Sequence, residues 1–367
     1  MRFWASVVAT GLLVWGVSIS VAGFGYSESV MGQPAPELES QGPWINSKPL
    51  TLKELRGKVV LIDIFEYTCV NCIRTIPYLR QWYKKYSPQG LVIIGVHDPE
   101  FDFTAVRENV RQGVMNLGIE WPVVLDNDHI IWNAYHNAYW PRKFLIDAKG
   151  IVRYDHIGEG GYENTEKEII RLLREANSSF KAPKADMFYA REEDKPGAVC
   201  YPQTAETYAN SERGLFAAPV FAGARNYKDS GKGLDGAVAL KGKFNVTDVA
   251  TFHASNTPGK FDDYVGLKFH ASEVNTVFGY APEAKPGSGY RVYVKIDDKN
   301  VPPDMKGEDL KYDRAGYSYI DVTDRRMYKV IGGKKYGAFV LKLHTDSEKF
   351  ALYAYTFGSC LVPNDAG

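Results

Sequence analysis

The seven residues Val59–Phe65 are apolar throughout except for Asp63, and a helical pattern over residues 71–86 follows almost at once. An unbroken apolar strand has no wet face, so it belongs inside a sheet covered on both sides. Residues 91–96 form a second buried strand. Residues 103–117 carry Val106, Val110, Val114 and Leu117 at helical spacing, with Gly118 as the C-terminal cap. Residues 122–125 are a short strand, and residues 143–146 and 151–157 make a hairpin about the turn Asp147-Ala148-Lys149-Gly150. A last helix is expected from Thr165, with Glu168 completing a capping box and Ile169, Leu172, Leu173 and Ala176 as the apolar face. Strands alternating with helices imply an α/β fold on a mainly parallel sheet.

The pattern lapses over residues 178–199, where Ser178, Ser179, Pro183, Pro196 and Gly197 sit among charges, as in a linker. From Cys200 the apolar period is two: Val265, Leu267, Phe269; Tyr290, Val292, Val294, Ile296; Phe339, Leu341, Leu343; Phe350, Leu352, Ala354. Short alternating strands separated by turn residues predict an all-β, jelly-roll-like sandwich. The chain's 367 residues suit two domains, at 27–177 and 200–367.

Residues 1–26 carry a single charge, Arg2, and an apolar run over residues 4–19 followed by Ser20-Val21-Ala22. This is the pattern of a cleaved secretory signal or of an N-terminal membrane anchor. Either places the remainder outside the cytoplasm, periplasmic or secreted. Forty-four basic residues balance 44 acidic ones without a long single-sign run, so nothing points to nucleic acid. The four cysteines divide into a close pair, Cys69 and Cys72, and a distant pair, Cys200 and Cys360. In an exported chain this implies one reactive pair and one structural disulfide. No helix start or basic neighbour activates Cys200 or Cys360, which favours a structural bond over a second redox relay.

A CxxC pair can bind zinc, attach haem or cycle between dithiol and disulfide. Zinc needs two further ligands at close spacing, and none is present; haem attachment needs His where Ile73 stands. No metal or cofactor beyond the disulfide is therefore expected. Cys69 follows the strand and Cys72 opens the helix, whose N-terminus favours a thiolate. Asp63 is placed to be buried, with a raised pKa, and to exchange a proton with the thiols. Pro77 marks a kink inside the helix, and a cis peptide at Trp140-Pro141 would offer backbone to a substrate chain. Glu66 is close enough to tune the pair, although a solvated strand-end charge is the simpler expectation. His136 and Trp132 are weighed as rim residues against ordinary packing. Gly158-Glu159-Gly160-Gly161 lacks the lysine of a phosphate loop and is expected to be a connector.

These residues resemble the thioredoxin superfamily, with Asp63, Cys69, Cys72, Pro77 and Pro141 standing as its buried acid, attacking cysteine, resolving cysteine, kink proline and cis-proline. The extended arrangement resembles TlpA- and ResA-like redoxins. The segments TCVNCIRTIPYLRQWYKKY, GVHDPEF and HIGEGGYE look like the extracytoplasmic part of DipZ-type proteins, in which a carbohydrate-binding-module-like sandwich follows. The resemblance implies a thiol–disulfide oxidoreductase acting on disulfide-containing proteins. It also implies a membrane thiol carrier of the CcdA/DsbD type as electron partner, and a carbohydrate as the sandwich ligand. Tyr317, Tyr319, Tyr353 and Tyr355 are the candidates for its stacking surface, weighed against half-buried packing, the commoner role of alternating strand tyrosines. Thr68 replaces the family's tryptophan, and Val70-Asn71 is an unusual dipeptide between the cysteines, so the sequence leaves the direction of electron flow open, with a reductase expected. A peroxidase pocket would need Thr or Ser three residues before the cysteine and Pro seven before. Here Glu66 and Ile62 precede Cys69, and Cys69 and Phe65 precede Cys72. The remaining alternative is a scaffolding protein that works through its sandwich.

Overall fold

The computed structural model describes residues 29–362 apart from 41, 184–187, 256–260, 286 and 334. The signal or anchor expected at residues 1–26 lies outside the described residues. No helix among the described residues is long and apolar enough to cross a membrane.

The first domain is built on β1 (Trp44–Ile45), β2 (Val59–Phe65), α1 (Val70–Tyr86), β3 (Leu91–His97), α2 (Arg107–Asn116), β4 (Val123–Leu125), α3 (Ile130–Ala134), β5 (Arg142–Ile146), β6 (Val152–Ile157) and α4 (Tyr162–Ala176). The strand order is β1-β4-β3-β2-β5-β6. All seven residues of β2 are buried. Side chains of a strand alternate between faces. Accordingly Val59, Leu61 and Phe65 enter one core with Ile76, Leu79 and Trp82 of α1 and Leu172 of α4. Val60, Ile62 and Ile64 enter the opposite core with Ile131 and Phe144. The same parity puts Asp63 on the α1 face.

The sheet is mixed rather than mainly parallel. Only β2–β3 and β3–β4 are parallel; β1, β5 and β6 join antiparallel. Helical crossovers make the parallel pairs, and the Asp147–Gly150 turn makes an antiparallel one. α2 begins at Arg107, after a 3₁₀ turn over Asp102–Ala105. It ends as expected at Gly118 (φ +62°): the Ile119 N–H reaches the Val114 carbonyl and the Gly118 N–H that of Met115. The capping box at Thr165 does not form. Glycines 158, 160 and 161, all with positive φ, turn the chain early enough for α4 to start at Tyr162. Thr165 is therefore internal, and its hydroxyl donates to the Gly161 carbonyl at 3.2 Å.

The described parts of the expected linker are not free. The Ala190 N–H donates to the Tyr78 hydroxyl, which donates to Asp194 at 2.7 Å, so this stretch lies as a strap along α1. Beyond it, β7 (Val199–Cys200) pairs with residues Cys360–Leu361 in a separate two-stranded ribbon.

The second domain is a two-sheet β-sandwich. Its strand Val238–Val246 serves both sheets: residues 238–241 pair with 264–267, whereas residues 242–246 pair with Arg225–Tyr227 and Thr251–His253. The switch falls at Gly242, whose φ is +110° and where a Cβ would strike the Asp263 carboxylate. Phe244, Phe278, Leu341, Phe350 and Tyr355 fill the space between the sheets.

The sandwich packs on the first domain beside the cysteines. Tyr353 meets Phe101 and Phe103 edge-on, with ring centroids 5.4 and 4.8 Å apart. Tyr353→Ala is expected to lower stability by about 3–5 kcal/mol and to raise hydrogen exchange across residues 101–105. Unchanged denaturant unfolding would show that the domains do not depend on this contact.

Candidate active site

β2 ends at Phe65, and Glu66-Tyr67-Thr68 carries the chain to the start of α1. Cys69 is the N-cap residue, and its sulfur accepts the Cys72 N–H at 3.3 Å. The two sulfurs lie 2.7 Å apart as free thiols. Cys69 is half-buried and Cys72 buried, so the N-terminal thiol is the one a partner can reach. Val70 is buried and Asn71 half-exposed between them. Pro77 lies inside α1, as expected.

Burial raises both thiols above their ordinary range. For Cys69 the hydrogen bonds from Cys72 oppose that rise, and the Glu66 and Glu100 carboxylates add to it. Cys72 is pushed up further by burial, by Cys69 and by Asp63. Asp63 is fully buried and its carboxyl is raised by desolvation. It is not alone: Lys143 stands directly opposite on β5 with Nζ 3.1 Å from Oδ1. Lys143 was not anticipated as a site residue. Its sequence signal is weak, because Lys143 follows Arg142 at the polar start of β5, whereas Asp63 has apolar neighbours on both sides.

Glu66 is not a solvated strand-end charge. Its side chain is fully buried, accepting from the Thr68 N–H and hydroxyl at 2.8 and 2.6 Å, with His97 Nε2 at 3.7 Å. Tyr67 stacks on His97 and donates to the Arg325 carbonyl of the sandwich. Glu100 accepts from Tyr208 at 2.6 Å and pairs with Arg213 at 3.1 Å, both from the second domain. Sequence patterning contains no trace of the Tyr67 and Glu100 contacts with the second domain, because they join segments more than a hundred residues apart.

The Trp140-Pro141 peptide is cis, and Trp140 packs into the same cluster as the cysteines, against Trp132. The Pro141 carbonyl is taken by the Gly158 N–H. His136 is exposed, with a positive φ, and its carbonyl accepts from Arg142. Tyr353 and Tyr355 are buried, which removes them from any stacking surface; Tyr317 and Tyr319 remain half-exposed. Cys200 and Cys360 are bonded. Among the described residues no group of three or more His, Cys, Asp or Glu side chains could hold a metal ion.

Removing one member of a buried ion pair costs about 3–5 kcal/mol when the other stays charged. Lys143→Met should show that loss near pH 8. An Asp63 pKa raised in the fold means that the folded state holds the proton over a pH range where the unfolded chain has lost it. Stability of the variant must then recover as the pH falls and Asp63 protonates. Urea unfolding at pH 5 and pH 8 checks this, and a deficit equal at both would rule out the charge pair.

Residues 31–155 match the AhpC/TSA family and residues 204–358 match the Thioredoxin like C-terminal domain family. The chain is 36% identical over 255 residues to protein DipZ of Mycobacterium bovis, covering 67% of this chain and 35% of that protein. It thus spans about a third of that relative's length. It is 34% identical over 128 residues to the thiol-disulfide oxidoreductase ResA of Bacillus thuringiensis, covering 35% of this chain and 71% of that one. Thiol-disulfide oxidoreductase YkuV of Bacillus subtilis is 29% identical over 144 residues, covering 39% of this chain and 96% of that one. With a paired Cys69 and Cys72 at the start of α1 and a cis Pro141 on the neighbouring strand, the chain belongs to the thioredoxin-like thiol–disulfide oxidoreductases of the ResA and DipZ type.

Proposed function

We propose that this enzyme works outside the cytoplasm as a reductase of protein disulfides. The observation that carries the direction is the environment of Cys69. A strongly oxidising site stabilises its reduced form, largely as a thiolate. Here burial and the Glu66 and Glu100 carboxylates disfavour that thiolate, so the dithiol yields its electrons more readily. The apolar run over residues 4–19 and the Cys200–Cys360 bond support an oxidising, exported setting.

In this reading Cys69 attacks a substrate disulfide, and the departing sulfur leaves with a proton from solvent. Cys72 then attacks the Cys69 sulfur, the bond to the substrate breaks, and the second substrate sulfur leaves as a thiolate that takes a proton from solvent. Asp63, paired with Lys143 behind Cys72, receives the Cys72 proton. The Trp140 backbone beside the cis-proline aligns the substrate strand. Val70 and Asn71 set the spacing of the pair and, with Glu66, its potential. A membrane thiol carrier of the CcdA/DsbD type returns the electrons. Tyr317 and Tyr319, the latter under the Arg291 guanidinium at 3.8 Å, form the aromatic surface for a carbohydrate on the sandwich.

Because the thiolate is the attacking species, the rate of insulin reduction should rise about tenfold per pH unit up to the raised Cys69 pKa. A plateau near neutral pH would contradict the proposed environment. Glu66→Gln keeps the acceptor for Thr68 and removes the charge. It should lower the Cys69 pKa and move the potential upward, by about 30 mV for each unit of thiolate stabilisation. A fall in potential would reverse the assignment. Cys72→Ala should accumulate a mixed disulfide through Cys69 with oxidised insulin, and failure to do so would remove the enzyme mechanism altogether.

A further inference from the structure

The Cys200–Cys360 disulfide stands apart from the sandwich core. Its ribbon is a separate two-stranded sheet, and neither cysteine belongs to the buried apolar cluster between the main sheets. Cys200 is exposed and Cys360 half-buried. Exposed disulfides tend to be the more readily reduced ones.

Its location is more telling. Both cysteines line a cleft of about 330 Å³ together with Asn71 and Arg74 of α1. Asn71 is one of the two residues between Cys69 and Cys72. Arg74 bridges the cleft: it donates to Asn71 at 3.4 Å and to Glu159 at 2.9 Å, and pairs with Glu273 at 3.1 Å. Glu273 stands opposite Gly358 in the sheet, and Arg74 packs so close that a Cβ on Gly358 would lie 2.8 Å from its Nη2. Gly358 is two residues from Cys360, about 7 Å along a strand. The start of the redox helix and the second disulfide therefore face one another across a single small cleft. Two guanidiniums, Arg74 and Arg191, and three carboxylates, Glu159, Glu193 and Glu273, line it, and ion pairs among them hold the two sides together.

We propose that Cys200–Cys360 is a second redox-active disulfide, reduced from within the chain by Cys69 and Cys72. The Cys69 thiolate attacks the Cys360 sulfur, the Cys200–Cys360 bond breaks, and Cys200 leaves as a thiolate that takes a proton from solvent. Cys72 then attacks Cys69, the Cys69–Cys360 bond breaks, and Cys360 leaves to become a thiol. Two electrons and two protons pass, one disulfide is lost and one is gained. Closing the gap takes a swing of the ribbon, which joins the strap through Gly197 (φ +95°) and continues into Pro202. The result is a dithiol whose Cys200 is exposed, which carries electrons outward from the buried Cys72.

This inference rests on the reductase reading, and one variant separates the two. Full-length Cys72→Ser, with Cys200–Cys360 intact, is incubated alone and mapped by non-reducing peptide mass spectrometry. The expected result is loss of the Cys200–Cys360 peptide and gain of a Cys69–Cys360 or Cys69–Cys200 peptide with one new free thiol, neither change occurring in Cys69→Ser. A Cys200–Cys360 peptide that persists, in protein that still captures oxidised insulin through Cys69, overturns the relay and leaves the reductase standing. Capture of neither overturns both.

Discussion

Because β2 is buried on both faces, the parity of its side chains admits no local exception. Every odd-numbered residue from Val59 to Phe65 must face α1, and that includes Asp63. A carboxyl delivered there by strand geometry cannot be solvated, so the fold has to supply a partner. The partner is Lys143, whose position opposite Asp63 follows from the antiparallel register of β2 and β5. The hairpin after the Trp140-Pro141 peptide thus has two roles: it closes the sheet, and it sets the charge behind the cysteines. A register slip of one residue would send Lys143 to the other face and leave Asp63 without its cation.

The same logic extends outward. A thiol at a helix N-terminus is ordinarily encouraged to ionise. Here that tendency is opposed from three directions: desolvation under the sandwich, the Glu66 side chain folded back onto Thr68, and Glu100 held by Tyr208 and Arg213. The second domain is thus a wall of the redox site as well as an appendage to it. Its aromatic contacts through Tyr353 and its ion pair from Glu273 to Arg74 fix how closely that wall stands. Electrostatics inside such a wall are stronger than at an open surface, because little water is present to screen them.

How much was legible beforehand follows from the range of the interactions involved. The Val59–Phe65 strand, the helix that opens at the CVNC segment, the Gly118 cap and the period-two strands of the sandwich are encoded by neighbours a few residues apart. Patterning therefore reaches them. The expectation at Thr165 failed because three positive-φ glycines upstream turned the chain sooner than the capping pattern required. The expectation for Glu66 failed because its burial depends on packing against His97 of the neighbouring strand, which no local window contains.

The sequence by itself determined which atoms stand as candidates for the chemistry. Cys69 and Cys72, an acid at position 63 and a proline at 141 are covalent facts, and their spacing along a strand and a helix start suits dithiol–disulfide exchange. Tertiary structure alone decided how those atoms behave. Burial, the Lys143 cation, the Glu66 and Glu100 carboxylates and the cleft shared with Cys200–Cys360 all arise between segments distant in the chain. The physical reason is that a thiol's reactivity is set by the field and the solvent around it. Both are properties of packing, and packing is settled only when the two domains are folded against each other.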